Sequence, residues 1–454
     1  MDGFTKFIAE ASDFIWGIPI IAILIGGGVF LTIRLSFFQF RYFPHILKQT
    51  FGKIFSKTEG DGTLTPFQAT TSALASTMGA ANIVGVPVAI ALGGPGAIFW
   101  MWLVALIGIG TKYSEVVLGI HYREKNHQGE YVGGPMYYIK KGLGWKKVAV
   151  FLSFALMVEV AASMMVQSNS IAMTMKGSFG LPPVVTGLIV ALLVILITYG
   201  GIKSIGKVSE RLIPFMVVIY IVAALIVVTV NFKEVPNAFM LIFEHAFRPI
   251  SAAGGFAGAG VAAAIRWGLA RGLYSNEAGM GTAPIAHSAA ITNHPAKQGF
   301  WGVFEVIVDT LVVCTITALV VLTSGVWKTI SPDNASMMVT EAFVPIFGST
   351  IAGMIVSATL FLFVITTIVV IVFYGEKQAE FLFGTAVCKV VRFIYIAAII
   401  VGAIGGLQFI WQFLDLLLAA VVIPNVIAVL FLSGKVKEIT NDYFTNLYPV
   451  ERKK

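Results

Sequence analysis

Ser76-Thr77-Met78-Gly79-Ala80-Ala81-Asn82 lies in the middle of an apolar run from 66 to 93, with Gly85 and Pro87 just beyond it. Glycine, proline and small polar residues are poor material for a helix centre. In lipid, a broken helix exposes amides and carbonyls that only protein or a water-filled cavity can satisfy. The stretch therefore reads as an interrupted membrane span. A second apolar run, 240 to 272, contains Gly254-Gly255-Phe256-Ala257-Gly258-Ala259-Gly260, again a poor helix centre. A rival break for this run is Gly272 to Gly281. It is disfavoured because it puts Arg266 and Arg271 deep in the membrane.

The rest of the chain supports a membrane setting. It has 454 residues, 57% of them hydrophobic and 12% charged, whereas soluble domains carry about 25% charged residues. Runs such as Ile15 to Leu35 and Ile213 to Val230 are long enough to cross a hydrocarbon core of about 30 Å. Eleven candidate spans follow, at 14–35, 66–93, 97–120, 148–171, 184–203, 211–231, 240–272, 300–325, 349–374, 391–408 and 411–433. Setting the first aside leaves two sets of five, and the interruption falls in the first member of each. Five is odd, so the two sets run with opposite topology. Interrupted spans at matching places in two halves point to an inverted-repeat transporter with its site near the midplane. The expected fold is thus an all-α polytopic membrane protein of about eleven helices. Its parts are 1–60 (extra helix and loop), 61–232 (first repeat), 233–434 (inverted second repeat) and 435–454 (tail).

The net charge of +8 does not indicate nucleic acid. Lysines and arginines crowd into 36–60, 121–147, 204–210, 273–299, 375–390, the tail and adjoining span ends. The opposite segments hold only Lys6, Lys176, Lys233, Arg248 and Lys328. The positive-inside rule then places the N-terminus outside and the C-terminus in the cytoplasm. Asp2, Glu10 and Asp13 outweigh Lys6 at the start, unlike the basic start of a cleaved signal peptide. Cys314 and Cys388 imply no disulfide framework. The six histidines lack metal-ligand spacing, and no phosphate loop or nucleophile elbow is present. An ATP-driven pump and a membrane-embedded enzyme are disfavoured, a channel remains a rival, and no obligate protein partner is evident beyond membrane lipid.

Half-helix N-termini attract anions and freed carbonyls attract cations, a combination that suits a small zwitterion carried with a cation. The interrupted segments supply Thr77, Gly79, Ala80, Ala81 and Asn82, and Phe256 and Gly258, as candidate substrate contacts. The alternative is that Gly79 and Ala80 only permit close helix packing. Glu159, Ser163 and Gln167 share one face of the fourth span, and Gln167 is the preferred substrate contact. Thr366-Thr367, midway along the ninth span, offers two hydroxyls as hard ligands for Na⁺. The ordinary alternative is that each bonds its own helix. Glu305 and Asp309 share a face of the eighth span and are either functional or paired with Arg266 or Arg271. Glu115 reads as structural.

Gly93-Gly94-Pro95-Gly96-Ala97-Ile98-Phe99-Trp100-Met101-Trp102-Leu103-Val104-Ala105-Leu106-Ile107-Gly108 resembles, without a gap, the signature of the alanine or glycine:cation symporter family. Arg271-Gly272-Leu273-Tyr274-Ser275-Asn276-Glu277-Ala278-Gly279, Gly133-Gly134-Pro135-Met136-Tyr137-Tyr138 and the Asp309-Thr310 step also look like this family. The resemblance spans essentially the whole chain. It implies a Na⁺-coupled, in some members H⁺-coupled, importer of alanine or glycine in a prokaryotic plasma membrane, with a leucine-transporter-like five-plus-five repeat. Gly79, Asn82 and Pro87 keep the wider group's spacing at the first break. By position, amides near Ala80 and Ala81 would hold the substrate carboxylate. Carbonyls of Ala75, Met78 and Phe363 would join Thr366 and Thr367 around one Na⁺. A second ion would use Asn82, with Asp309 the nearest candidate partner. The tyrosine that the wider group places on the fourth span is missing. A larger neutral or aromatic amino acid is the rival substrate.

Overall fold

The computed structural model describes residues 10–12, 14–248, 260–405 and 408–449. Helix α1 (Ile18–Arg34) carries a π-helical turn at Ala22–Gly26 and precedes the two sets of five. The first set is the bent pair α2 (Pro66–Thr77) and α3 (Ala81–Gly93), then α4 (Ala97–His121), α5 (Lys146–Phe179), α6 (Pro183–Thr198) and α7 (Gly201–Val230). The second set is α8 (Val261–Asn276) with α9 (Ala283–His287), then α10 (Pro295–Ser324), α11 (Met338–Phe383), α12 (Cys388–Ile404) and α13 (Gln408–Phe431). α11 turns at Gly348 (φ 76°), so a short leading helix precedes the long one. The one strand pair, among the described residues, is the small hairpin Glu124–Lys125 with Tyr131–Val132.

Local chemistry sets the start and end of α2. Thr65 caps it reciprocally with Gln68, each backbone N–H donating to the other's side chain at 3.1 Å, and Pro66 opens the first turn. The helix stops at Met78 (φ −79°, ψ 85°) and restarts in a π-helical turn, Ala81–Gly85, bent by 47° from α2. The expected break at Gly79 is where the chain turns.

The seventh span differs from expectation. A separate helix, Val235–His245, occupies the start of the 240–272 run, and α8 begins only at Val261. The break lies after α8, across Glu277–Thr282, and so corresponds to the rival position. Glu277 (φ 54°), Gly279 (φ 104°) and Gly281 (φ 75°) take left-handed backbone there, which glycine adopts without a steric penalty. The objection to this position fails because Arg271 is compensated. It is buried, but it lies 3.7 Å from Asp415 of α13 and stacks over Trp267 at 5.1 Å. Most of the glycine-rich stretch Gly254–Gly260, including Phe256 and Gly258, lies outside the described residues.

The broken elements sit at the centre. α2 packs on α7 and α11, α3 on α8, and α8 on α4, while the long α5 packs on α11, α12 and α13. The outer helices face the other way. Leu188, Leu192 and Leu196 of α6, Phe215, Val218 and Val222 of α7, and Phe393 and Ile394 of α12 are exposed. So continuous an apolar exterior is a lipid-facing surface.

Candidate functional site

Where α2 ends, its freed groups find two sets of partners. The Met78 carbonyl accepts from Thr367 Oγ1 of α11 at 3.1 Å, and Thr367 also donates to the Phe363 carbonyl at 2.9 Å. Thr366 behaves differently. Its hydroxyl bonds Leu362 O (2.9 Å) and Phe363 O (3.0 Å) of its own helix and lies 3.8 Å from Met216 Sδ of α7. Thr367, Met78 and Phe363 therefore converge across two helices, while Thr366 joins them only through the shared Phe363 carbonyl. Ala75 is buried one turn before Met78. Hydroxyl and carbonyl oxygens are hard donors of the kind a small cation takes.

On the other side of the break, amides point to side chains. Gly79 N–H donates to Asn82 Oδ1 (3.1 Å) and Ala80 N–H to Gln167 Oε1 of α5 (3.0 Å). The approach is close. A Cβ on Gly79 would lie 2.8 Å from both Gln167 Nε2 and Thr367 Oγ1. Thr77 Oγ1 bonds the Leu74 carbonyl of its own helix at 3.1 Å. Ala81 is buried at the start of the π turn.

A small cavity joins the two breaks. It measures about 10 Å³, room for about one water. Its walls include Gln167, Ser163 and Glu159 of α5, Tyr274 of α8, Glu277 of the second break, and Ser76 of α2. Glu277 accepts from Ser76 Oγ at 3.2 Å and from Thr282 Oγ1. A tyrosine, on α8, also stands in this wall. Tyr274 OH lies 3.3 Å from Ser163 Oγ and accepts from Gln167 Nε2 at 3.4 Å.

A second polar centre lies on the far side of Asn82. Its Nδ2 donates to Asp309 Oδ1 at 2.7 Å, and Asp309 Oδ2 accepts from Ser275 Oγ (2.5 Å) and Thr310 Oγ1 (2.7 Å). Asp309 sits in a π-helical stretch, Ile307–Cys314, inside α10, and is fully buried. Neither acidic residue of α10 has an ion pair with Arg266 or Arg271 among those shown by the described residues. Glu305 instead lies 3.6 Å from the buried Lys112 and contacts His287. Glu115, expected to be structural, accepts from the Gly279 (3.3 Å) and Gly281 (2.9 Å) amides and from Asn425 (2.5 Å). It thereby holds the second break.

Sequence reasoning passed over Glu277, Tyr274 and Ser76 as wall residues. Glu277 carried a usable signal, because a carboxylate followed by Gly279 and Gly281 is the composition of a break. Placing that break about twenty residues too early, at Gly254–Gly260, hid it. Glu159 was visible on the Gln167 face, at the spacing of one helical stripe.

A larger cavity of about 830 Å³ adjoins the small one, sharing Tyr274 with it. It is lined by Arg266, Arg271, Trp267 and Asp415, on the side where α3 ends and α8 begins.

Comparison with known proteins agrees with this layout. A family model described as the sodium:alanine symporter family matches residues 1–453. The chain is similar to the uncharacterized transporter YflA of Bacillus subtilis, with 54% identity over 98% of this chain and 95% of the relative. It is also similar to the sodium/alanine symporter AgcS of Methanococcus maripaludis, with 39% identity over 97% of each. The solved structure of MhsT in complex with L-phenylalanine superposes with a TM-score of 0.62 at 14% identity, over 85% of this chain and 90% of that one. That likeness shows the fold, an inverted-repeat transporter architecture.

Proposed function

Because the chain belongs to the sodium:alanine symporter family, we propose that it imports a small neutral amino acid, alanine or glycine, together with Na⁺ by alternating access. The chain is a multi-pass membrane transporter and not an enzyme. The observation that carries the proposal is the double use of the α2 break. Met78 turns its carbonyl to Thr367, while Ala80, two residues on, turns its amide to Gln167.

In this reading Na⁺ takes the oxygens of Met78, Phe363 and Thr367, with Ala75 and Thr366 completing the shell. The substrate carboxylate replaces Gln167 Oε1 at the Ala80 N–H, and Gly79, Ala81 and Thr77 border it. The ammonium group faces Glu159 and Glu277, carboxylates buried between the helices beside the cavity, where a cation compensates their charge. Asn82 and Asp309 form a candidate second ion position. A cavity that begins at the size of one water, next to a break where a Cβ on Gly79 would lie 2.8 Å from the cavity residue Gln167, favours a substrate of few atoms. Phe256 and Gly258, outside the described residues, remain proposed contacts.

Coupling follows from the shared break. An ion on the Met78 carbonyl orders the amides that grip the substrate, so both ligands favour the same closed state. One charge moving through 100 mV supplies about 2.3 kcal/mol, and about 1.4 kcal/mol is tenfold in concentration. The membrane potential alone then supports accumulation of about 40-fold. In this reading, which the lysine-rich loops support, the C-terminus is cytoplasmic, the N-terminus is outside, and the Arg271–Asp415 pair lies at the outer end of the path. Residues 61–232 and 233–434 are the two repeats that rock about it, between the extra helix of 1–60 and the tail of 435–454.

The test is uptake of radiolabelled alanine into proteoliposomes, with and without an inward Na⁺ gradient, with glycine, D-alanine, glutamine and leucine as competitors. Concentrative uptake that vanishes when Na⁺ is equal on both sides, and yields only to small competitors, is the expected result. Uptake that merely equilibrates sinks symport in favour of a channel or uniporter. Uptake driven by a proton gradient instead overturns the Na⁺ assignment, and strong competition by leucine or glutamine overturns the small-substrate assignment.

A further inference from the structure

The loop between α1 and α2 does more than connect them. Among the described residues it forms three short helical pieces, Phe38–Arg41, Phe43–Gln49 and Phe51–Lys53, at the lysine-rich face. Lys48, Lys53 and Lys57 of this loop meet Lys297 of α10 around one cavity of about 390 Å³. Among the described residues of its lining, four lysines stand against one carboxylate, Glu59. Pro66, the first residue of α2, and Trp301 complete it. Helix N-termini add a further positive field.

Beside the cavity the same loop turns aromatic rings outward. Phe55 is fully exposed and Phe51 is 56% exposed, its inner edge resting on Phe304 of α10. In water such rings would be a liability, but at the edge of a bilayer they insert among acyl chains. Orientation of the protein asks only that lysines lie on one side. It does not ask that four of them converge on a concavity whose loop also exposes two phenylalanines.

We propose that this cavity binds the phosphate headgroup of an anionic phospholipid, with Phe51 and Phe55 seated in the acyl region beside it. Charge complementarity identifies the ligand, and the adjoining lipid-facing rings identify its source. The site also reaches the transport machinery. Gln298, which lines the cavity, donates to the Pro66 carbonyl at 3.4 Å and bonds His287 Nδ1 of α9 at 2.7 Å. A headgroup held there braces the loop, α2 and α9 together, the inner ends of both broken helices. Lipid occupancy thereby tunes how readily they part.

The purified full chain is titrated with phosphatidylglycerol in detergent and bound lipid counted by native mass spectrometry. The triple variant Lys53→Gln, Lys57→Gln, Lys297→Gln is compared with Lys435→Gln, Lys437→Gln, which removes charge from the tail. The triple variant should lose one tightly held lipid, its affinity falling on the order of fivefold per lysine, while the tail variant keeps it. Inorganic phosphate and glycerol phosphate should not displace the lipid. Equal lipid retention in both variants overturns the site, and displacement by free phosphate replaces the lipid with a soluble anion. The binding readout does not depend on transport, so its failure is distinct from failure of the symport reading. Uptake in phosphatidylcholine vesicles should rise with added phosphatidylglycerol for the native chain and not for the triple variant. An identical rise in both removes the link through Gln298.

Discussion

Asn82 donates to the Asp309 carboxylate at 2.7 Å, and each residue sits in a π-helical turn of its own broken or strained span. Such turns recur at functional sites because one extra residue per turn re-aims a side chain and leaves backbone groups underused. Here the two turns face each other, so the polar pair lies fully buried between the two repeats.

Asp309→Asn keeps the shape of this side chain while removing its charge and turning one acceptor oxygen into an amide donor. If the pair helps hold a cation, the Na⁺ concentration for half-maximal alanine uptake rises by about tenfold, equivalent to roughly 1.4 kcal/mol. Uptake measured against Na⁺ in proteoliposomes checks this. An unchanged Na⁺ curve assigns Asp309 to structure alone.

The two adjacent threonines separate cleanly. Thr367 reaches across to Met78, whereas Thr366 bonds its own helix and lies beside Met216. Thr367→Ala is expected to raise the Na⁺ requirement by about tenfold or more, the worth of one lost ligand, and Thr366→Ala by much less. Equal effects from both variants would place the ion elsewhere along α11.

Gly79→Ala inserts a Cβ 2.8 Å from Gln167 and Thr367. Overpacking of this kind costs about 1–3 kcal/mol, and here it wedges the two liganding helices apart. Alanine uptake should fall below detection while the protein still purifies as a monodisperse species with a melting temperature only a few degrees lower. Retained uptake would show that the break can widen without harm.

Gln167→Ala removes the acceptor for the Ala80 amide and enlarges the small cavity. In the proposed mode the substrate carboxylate displaces Gln167 Oε1 from the Ala80 N–H, so with that competitor gone the KM for alanine should fall, by up to about tenfold, the net worth of about one buried hydrogen bond. Larger neutral amino acids should begin to compete. A competition profile identical to that of the native chain would remove Gln167 from the selectivity wall.

Arg271 and Asp415 lie 3.7 Å apart, both buried. Removing one member of a buried ion pair typically costs about 3–5 kcal/mol, whereas removing both costs far less. Arg271→Met and Asp415→Asn should each lower the melting temperature in detergent, and the double variant should regain much of the loss. Additive losses would mean the two charges are not coupled.

Much of this was legible in the chain itself. Lipid-length apolar runs announce spans, and glycine with small polar residues at Gly79 announces a break, because these are properties of the local segment and the solvent around it. The sided lysines carried an orientation for the same reason. The pairing of Gln167 with Ala80 was half visible, since residue type and helical face marked Gln167 while its partner required a neighbouring helix.

The sequence by itself determined a polytopic helical transporter with an interrupted second span, since hydropathy, backbone propensity and composition act within a few turns. Only the tertiary structure decided that the second break falls at Glu277–Thr282. A buried arginine is prohibitive or tolerable according to whether a carboxylate 144 residues away in the chain arrives beside it, as Asp415 does. It also decided which of Thr366 and Thr367 faces the break, and that Tyr274, Glu277 and Glu159 share a cavity. Those outcomes depend on how helices distant in sequence rotate and pack against one another, and no local pattern encodes that.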